Sequence, residues 1–227
     1  MNAKPVLGLT MGDPAGIGPE ICLRALREPA VLERCVPVLF GDAAVLERAA
    51  KGEIPAPDCR VVSIAELPGL SAINEPLIVD CAAIDAAIVE PGKVSAACGG
   101  AAYGYIEQAV RAALAGKIDG VVTAPIHKES LHLAGVQFPG HTEIFTALTG
   151  AKRSCMMLYS EVLTVSMVTT HIGYAEVPKK ISTRRVLDVI ELTADAMRCM
   201  LGREPKLAVC GLNPHAGEHG LFGQREE

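Results

Sequence analysis

A chain of 227 residues, 50% hydrophobic and with mean hydropathy +0.31, has room for one large domain or two small ones and enough apolar mass for a sizeable core. Its net charge of −5 and the lack of any Lys/Arg block argue against a nucleic-acid partner. No apolar run approaches the roughly 20 residues that span a bilayer, and the N-terminal "MNAKPVLGLTMGD" lacks a signal peptide's cleavage region, so a cytoplasmic protein with no membrane partner is expected.

The first apolar run, "PVLGLTM", leads into "LTMGDPAGIGPEI", a strand, a glycine-rich loop and a helix start. A dinucleotide fingerprint would read G-x-G-x-x-G. Here Gly12, Gly16 and Gly18 are spaced G-x-x-x-G-x-G, with Pro14 and Pro19 among them, so a Rossmann turn is not expected. Asp42, closing the run "VPVLFGD", stands where a ribose-binding acid would, but strand ends commonly carry such a residue. Pro19 suits the first turn of a helix. Gly16 and Gly18 would let a ligand approach the backbone, and free N–H groups at the helix start favour an anion. A tight strand-to-helix connection without a ligand accounts for the same residues.

Further along, "RVVSI", "LIVDC", "GVVTAP", "SCMMLYS", "LTVSMVTT" and "KLAVCGL" have strand length and largely unbroken hydrophobicity, as in strands buried on both faces. "KGEIPAPDCR" reads as a surface loop. "YIEQAVRAALAGK" places Ile106, Ala109, Val110, Ala113 and Leu114 on one helical face and stops at Gly116. "STRRVLDVIELTADAMRCMLG" repeats Leu187, Ile190, Ala194, Met197 and Leu201 at three- and four-residue steps and ends at Gly202. Alternating strands and helices predict an α/β fold with a largely parallel sheet. The eight cysteines form no C-x-x-C pair, sit mostly in apolar runs and read as reduced core thiols.

Ligands of open α/β sheets gather at the carboxyl ends of strands, and polar residues concentrate there. His127 and Lys128 follow "GVVTAP", His171 follows "LTVSMVTT", and Asn213, His215, Glu218 and His219 follow "KLAVCGL". "FPGHTEIF" sets His141, Thr142 and Glu143 after a Pro–Gly turn, at a helix start. A lone histidine at a strand end is ordinarily a hydrogen-bonded loop residue. Two behind strands adjacent in sequence can converge on one point, because sequential strands usually neighbour one another. His171 and His215 therefore form a candidate pair for a divalent metal such as zinc, which would need a third ligand and an open position. His132 and His219 read as surface or helix residues. Lys128 is a candidate point charge for a phosphate or carboxylate, an exposed helix-start lysine being the plain alternative.

Taken in order, "GDPAGIGPE", "TAPIHKE", "AGVQFPGHTE", "TTH" and "LNPHAGEHGLFG" resemble the 4-hydroxythreonine-4-phosphate dehydrogenase family of pyridoxal phosphate biosynthesis, over essentially the whole chain. The resemblance implies a fold like the isocitrate and isopropylmalate dehydrogenases, not a Rossmann fold, with two α/β/α domains around a cleft. Residues 1–125 would supply the first domain and 126–227 an incomplete second. It implies a homodimer with its active site at the subunit interface, NAD or NADP as cofactor, and one divalent metal (zinc, magnesium, cobalt or manganese). By position, His171 and His215 match two metal-binding histidines of the family, and His141 and Thr142 match its substrate-binding pair. Lys128 becomes the catalytic candidate, for proton transfer or anion binding. The implied reaction oxidises the secondary alcohol of 4-phosphohydroxy-L-threonine to a β-keto acid that loses carbon dioxide and leaves 3-amino-2-oxopropyl phosphate.

Two departures qualify this. "TAPIHKE", "GHTEIF" and "EHGLFG" look closer to the branch acting on D-threonate or D-erythronate 4-phosphate. The family's chain also continues beyond "LFGQREE", into a segment with a third metal histidine (which reaches the site from the partner subunit) and phosphate-binding residues. The expectation is a fragment, catalytically incomplete by itself. A metal-dependent lyase or hydrolase, or a phosphate-binding module, is the competing class.

Overall fold

Five of the apolar runs form one parallel sheet. In this computed structural model, which describes residues 4–50, 54–55 and 58–222, its order is β3–β4–β2–β1–β5. The first unit, Met1–Ala151, contains β1 (Val6–Thr10), α1 (Gly18–Ala25), α2 (Pro29–Leu32), β2 (Val36–Gly41), α3 (Ala43–Ala49), β3 (Arg60–Ser63), β4 (Leu77–Asp80), α4 (Ala96–Leu114), β5 (Gly120–Thr123), α5 (Lys128–Leu133) and α6 (His141–Thr149). All six residues of β2 are buried, as unbroken hydrophobicity between two neighbouring strands requires. The expected mixed α/β class with a parallel central sheet is thus observed. Position 125, where the resemblance divides the domains, falls in this unit between β5 and α5.

Helix α4 begins well before the stretch in which its periodicity is visible. The Ser95 hydroxyl caps it, accepting from the Cys98 N–H at 3.2 Å. Its buried side, including Cys98, Ala101, Tyr105, Ile106 and Ala109, is small-residue-rich at the N-terminal end, which lets α5 approach closely. A Cβ on Gly99 would meet the Ser130 carbonyl oxygen at 2.0 Å. Ile106 and Val110 of α4, Leu131 of α5 and Ile144 of α6 form a second, smaller core. The end of the expected α4 face departs from expectation: Leu114 is exposed.

The second unit, Lys152–Glu227, contains β6 (Met156–Leu158), β7 (Val165–Met167), α7 (Val177–Lys180) and α8 (Thr183–Leu201). Here the expectations need correction. β6 and β7 pair antiparallel, as a two-stranded sheet of their own. "KLAVCGL" forms no strand, and Val209 within it is 63% exposed. Apolar composition makes a segment seek burial, but a strand also needs a neighbour for its backbone groups, and no described strand pairs with this one. Helix α8 has the expected limits, with Ser182 accepting from the Arg185 N–H and Gly202 closing it at φ 64°. Its buried residues are Val189 and Met197, however, while Leu187 and Leu201 are exposed. Few elements are available here to cover a full helical face. Of the Pro-rich loop, residues 51–53 and 56–57 lie outside the described residues. All eight cysteines are free; Cys22 and Cys98 are buried, whereas Cys199 and Cys210 are exposed, against the core expectation.

Candidate active site

The loop after β1 is built by backbone bonds on both flanks. Met11 N–H donates to the Phe40 carbonyl, Asp13 N–H to that of Pro125 and Ala124 N–H to that of Thr10, each at 3.0 Å. Asp13 is buried, and its carboxylate accepts from the Ala15 N–H at 2.8 Å, forming a turn. Gly12 holds φ +74°, and a Cβ there would meet the Pro125 oxygen at 2.3 Å; one on Gly18 would meet the Met11 oxygen at 2.0 Å. Gly12 and Gly18 thus serve close packing of the protein's own backbone, and the tight connection is the role the structure gives them. Pro19 lies in the first turn of α1, as its missing N–H favours.

Strand order reverses at β1, with β2 on one side and β5 on the other, so the carboxyl ends of β1 and β5 mark a topological switch point. His127 caps α5 there, its Nδ1 accepting from the Ser130 N–H at 3.3 Å. Lys128 opens α5, exposed to solvent and in no ion pair among the described residues. Asp42, by contrast, is structural. It is 3% exposed and accepts from the Tyr105 hydroxyl and from the N–H groups of Ala83, at 2.7 Å, and Ile84, at 3.5 Å. Burial pushes its carboxyl above the usual range, and those hydrogen bonds act in the opposite direction.

Helix α6 starts at His141, directly after Gly140. The His141 ring stacks on Phe145, with centroids 6.3 Å apart, and its Nε2 is buried without a hydrogen-bond partner among the described residues. Burial lowers its pKa from the ordinary 6.5, favouring the neutral ring. Thr142 is half-buried, and its carbonyl accepts from the Thr146 hydroxyl at 2.7 Å. Glu143, one residue on, has a buried Oε2 also without a hydrogen-bond partner among the described residues. Because Leu131 and Ile144 share the smaller core on α4, the helices that carry Lys128 and the His141–Thr142 pair are held against the same helix.

In the second unit, His171 is exposed and follows β7; His215 is exposed in the short 3-10 turn Pro214–Gly217, its ring 6.4 Å from that of Phe222. Only His171 therefore follows a formed strand. Both hold left-handed backbone, at φ 57° and 53°, as do Ala216, Glu218 and His219. Non-glycine residues held there cost about 1–3 kcal/mol each and concentrate at functional sites. Among the described residues no group of three or more His, Cys, Asp or Glu is gathered to hold a metal. Imidazoles suit a borderline divalent ion, so each of the two histidines has the donor chemistry of a ligand for such a metal. The left-handed backbone at both histidines was not foreseen from the sequence. Neither was the buried Glu143 oxygen, although Glu143 lies in the motif that drew attention to its neighbours.

Comparison with known proteins gives a consistent picture. The family model described as "Pyridoxal phosphate biosynthetic protein PdxA" matches residues 33–227. A 4-hydroxythreonine-4-phosphate dehydrogenase of Trichlorobacter lovleyi is 40% identical over 225 residues, covering 98% of this chain and 67% of that protein. A D-threonate 4-phosphate dehydrogenase of Cupriavidus necator is 41% identical over 231 residues, covering 98% and 66%. The crystal structure of a 4-hydroxythreonine-4-phosphate dehydrogenase from Burkholderia phymatum superposes with a TM-score of 0.79 at 40% identity, covering 100% of this chain and 68% of that one. The chain thus spans about two thirds of the length of the relatives it matches. The expected isocitrate-dehydrogenase-like fold class agrees with this likeness.

Proposed function

The chain belongs to the PdxA family of pyridoxal phosphate biosynthetic proteins, and on that premise we propose that it is an oxidoreductase which oxidises the secondary alcohol of 4-phosphohydroxy-L-threonine. The observation that carries the site assignment is the head of α6. There a ring whose neutral form burial favours carries a nitrogen without a partner among the described residues, and Thr142 is the next residue of the helix. A neutral imidazole and a hydroxyl both donate to oxyanions, and the first N–H groups of a helix favour negative charge. His141 and Thr142 are accordingly assigned to binding the phosphorylated hydroxy acid.

Lys128, exposed at the head of α5, takes the catalytic part, moving a proton at the substrate hydroxyl. His171 and His215 are assigned as metal ligands. NAD or NADP, when bound, accepts the hydride, and a divalent metal supplies a Lewis acid for the substrate oxygen. Oxidation places a ketone β to the carboxylate, and carbon dioxide is then lost. A homodimer sharing its active site, a cytoplasmic location and a domain division near residue 125 belong to the same proposal. Among the described residues no helix is long and apolar enough to cross a membrane.

A second reading, oxidation of D-threonate 4-phosphate, is favoured equally by the relatives, whose identities of 40% and 41% do not separate the two substrates, and D-erythronate 4-phosphate stands beside it on the sequence motifs. Equilibrium binding tests both. Calorimetric titration of the three phosphorylated acids into wild-type protein and His141→Ala should show saturable, His141-dependent binding of at least one. Binding of none, or binding indifferent to His141, would remove the assignment.

A further inference from the structure

Backbone strain is concentrated at one place in the second unit. From His215 to Gly220, six consecutive residues hold positive φ, at 53°, 50°, 85°, 45°, 54° and 90°. Gly217 and Gly220 take such angles without a steric cost. His215, Ala216, Glu218 and His219 do not, because an L side chain there crowds the following carbonyl, and such residues ordinarily occur singly. The other two non-glycine residues of positive φ among those described, Ala82 and His171, do stand alone.

Strained backbone persists where the surrounding fold over-determines it, and here the fold does little of that. The backbone bonds that close the run are local: Glu218 N–H donates to the His215 carbonyl, Gly220 and Phe222 N–H to that of Gly217, and Leu221 N–H to that of Glu218, at 3.0–3.2 Å. From Pro214 to Phe222 only Gly217 is buried, and Leu221 is 75% exposed. Leaving the left-handed form therefore breaks a few exposed local bonds and relieves the strain of four residues. A metal at His215 requires such a movement. One imidazole supplies one ligand of the several a divalent ion needs, and among the described residues no three donors are gathered. The chain around His215 has to shift to complete a ligand set, and strain makes that shift favourable.

We infer that residues 215–220 are a conformational switch, a left-handed run that gives way when His215 takes a divalent cation. The inference rests on the assignment of His215 as a metal ligand, and the tests keep the two apart. Zinc is titrated calorimetrically into the 227-residue protein, Ala216→Gly and Ala216→Val. Neither substitution changes a charge, and Ala216 is exposed, so the added methyl groups of valine meet solvent. Glycine has no strain to release, so Ala216→Gly should bind zinc about fivefold or more weakly than the wild type. Valine is held at positive φ at greater cost, so Ala216→Val should bind more tightly. A run preformed for the metal would give the reverse order, and a run with no part in binding would give equal affinities; either would overturn the switch. Zinc binding by none of the three, or binding that survives His215→Ala, would remove the metal assignment and the switch with it. Amide hydrogen exchange without zinc reads the strain by itself. The Glu218 and Phe222 N–H groups should exchange slowest in Ala216→Gly and fastest in Ala216→Val, and equal rates in all three proteins would overturn the inference. The comparison of Ala216→Gly with the wild type stands even if Ala216→Val folds poorly.

Discussion

Alanine at position 99 and alanine at position 100 should move the protein's stability in opposite directions. Both glycines lie in α4, so helix propensity alone favours each replacement by about 0.5–1 kcal/mol. Their surroundings decide the sign. A Cβ at Gly99 would sit 2.0 Å from the Ser130 oxygen, 2.2 Å from its carbonyl carbon and 2.6 Å from Leu131 N, all backbone atoms that no rotamer change can clear. At Gly100 the nearest atom is the Ala134 Cβ at 3.9 Å, an ordinary contact. Overpacking costs about 1–3 kcal/mol, occasionally more, and against backbone at 2.0 Å the upper end applies; less the propensity gain, a net loss of about 1–2.5 kcal/mol remains, which at about 2–4 °C per kcal/mol for a unit of this size lowers the melting temperature by about 2–10 °C. Gly100→Ala should raise it by about 1–4 °C. Thermal melts followed by circular dichroism read both. Since the clash pushes α5 from α4, Gly99→Ala should also disturb the Lys128 end of α5. A Gly99→Ala protein as stable as the wild type would refute the close-packing account of α4 and α5.

Protonation of Asp42 gives a signed pH dependence. Its folded-state pKa is raised from 3.8, so the native state holds a proton that the unfolded chain has released, and stability falls as pH rises through that window. Asp42→Asn should remove this slope, and urea melts across the acid range in which both proteins lose the same stability would contradict it. His141 shifts the other way: its folded pKa lies below 6.5, so its contribution is present above 6.5 and is lost as pH falls through the lowered value. Its NMR titration should have a midpoint under 6.5, and a midpoint above that would show an unburied ring or a nearby anion. Replacing His171 or His215 by alanine should each reduce bound divalent metal, measured by elemental analysis, without unfolding the chain. A metal-soaked crystal structure with the two imidazoles more than about 8 Å apart and facing different surfaces would end the shared-site idea, since zinc ligands at 2.0–2.1 Å from one ion must lie about 3–3.5 Å from each other.

What could be read from the sequence followed from how local the cause was. β1, β2 and β4 were legible because strands buried between neighbours keep largely unbroken hydrophobicity, of which β2 is the plainest case, whereas β3 and β5, at the edges of the described sheet, were legible only as short β-branched runs. The start of α6 was legible because Pro139 and Gly140 announce it. The N-terminal half of α4 was not, since "AACGGAAYG" has no amphipathic stripe and makes sense only against α5. "KLAVCGL" misled for the complementary reason: it has the composition of a strand and, among the described residues, no partner. Histidine carries no signature for positive φ, so the strained backbone of His171 and His215 was out of reach.

The central claim is nicotinamide-linked oxidation of a phosphorylated hydroxy acid. NADH absorbance tests it most directly, with NAD and a divalent metal present and 4-phosphohydroxy-L-threonine, D-threonate 4-phosphate and D-erythronate 4-phosphate supplied in parallel. The assay should run on this chain and on a version extended to the length of its relatives. At least one substrate should generate NADH in the extended version, and His141→Ala should depress that rate. Substrate cleavage without NADH, or no turnover of any of the three by either version, would contradict the account.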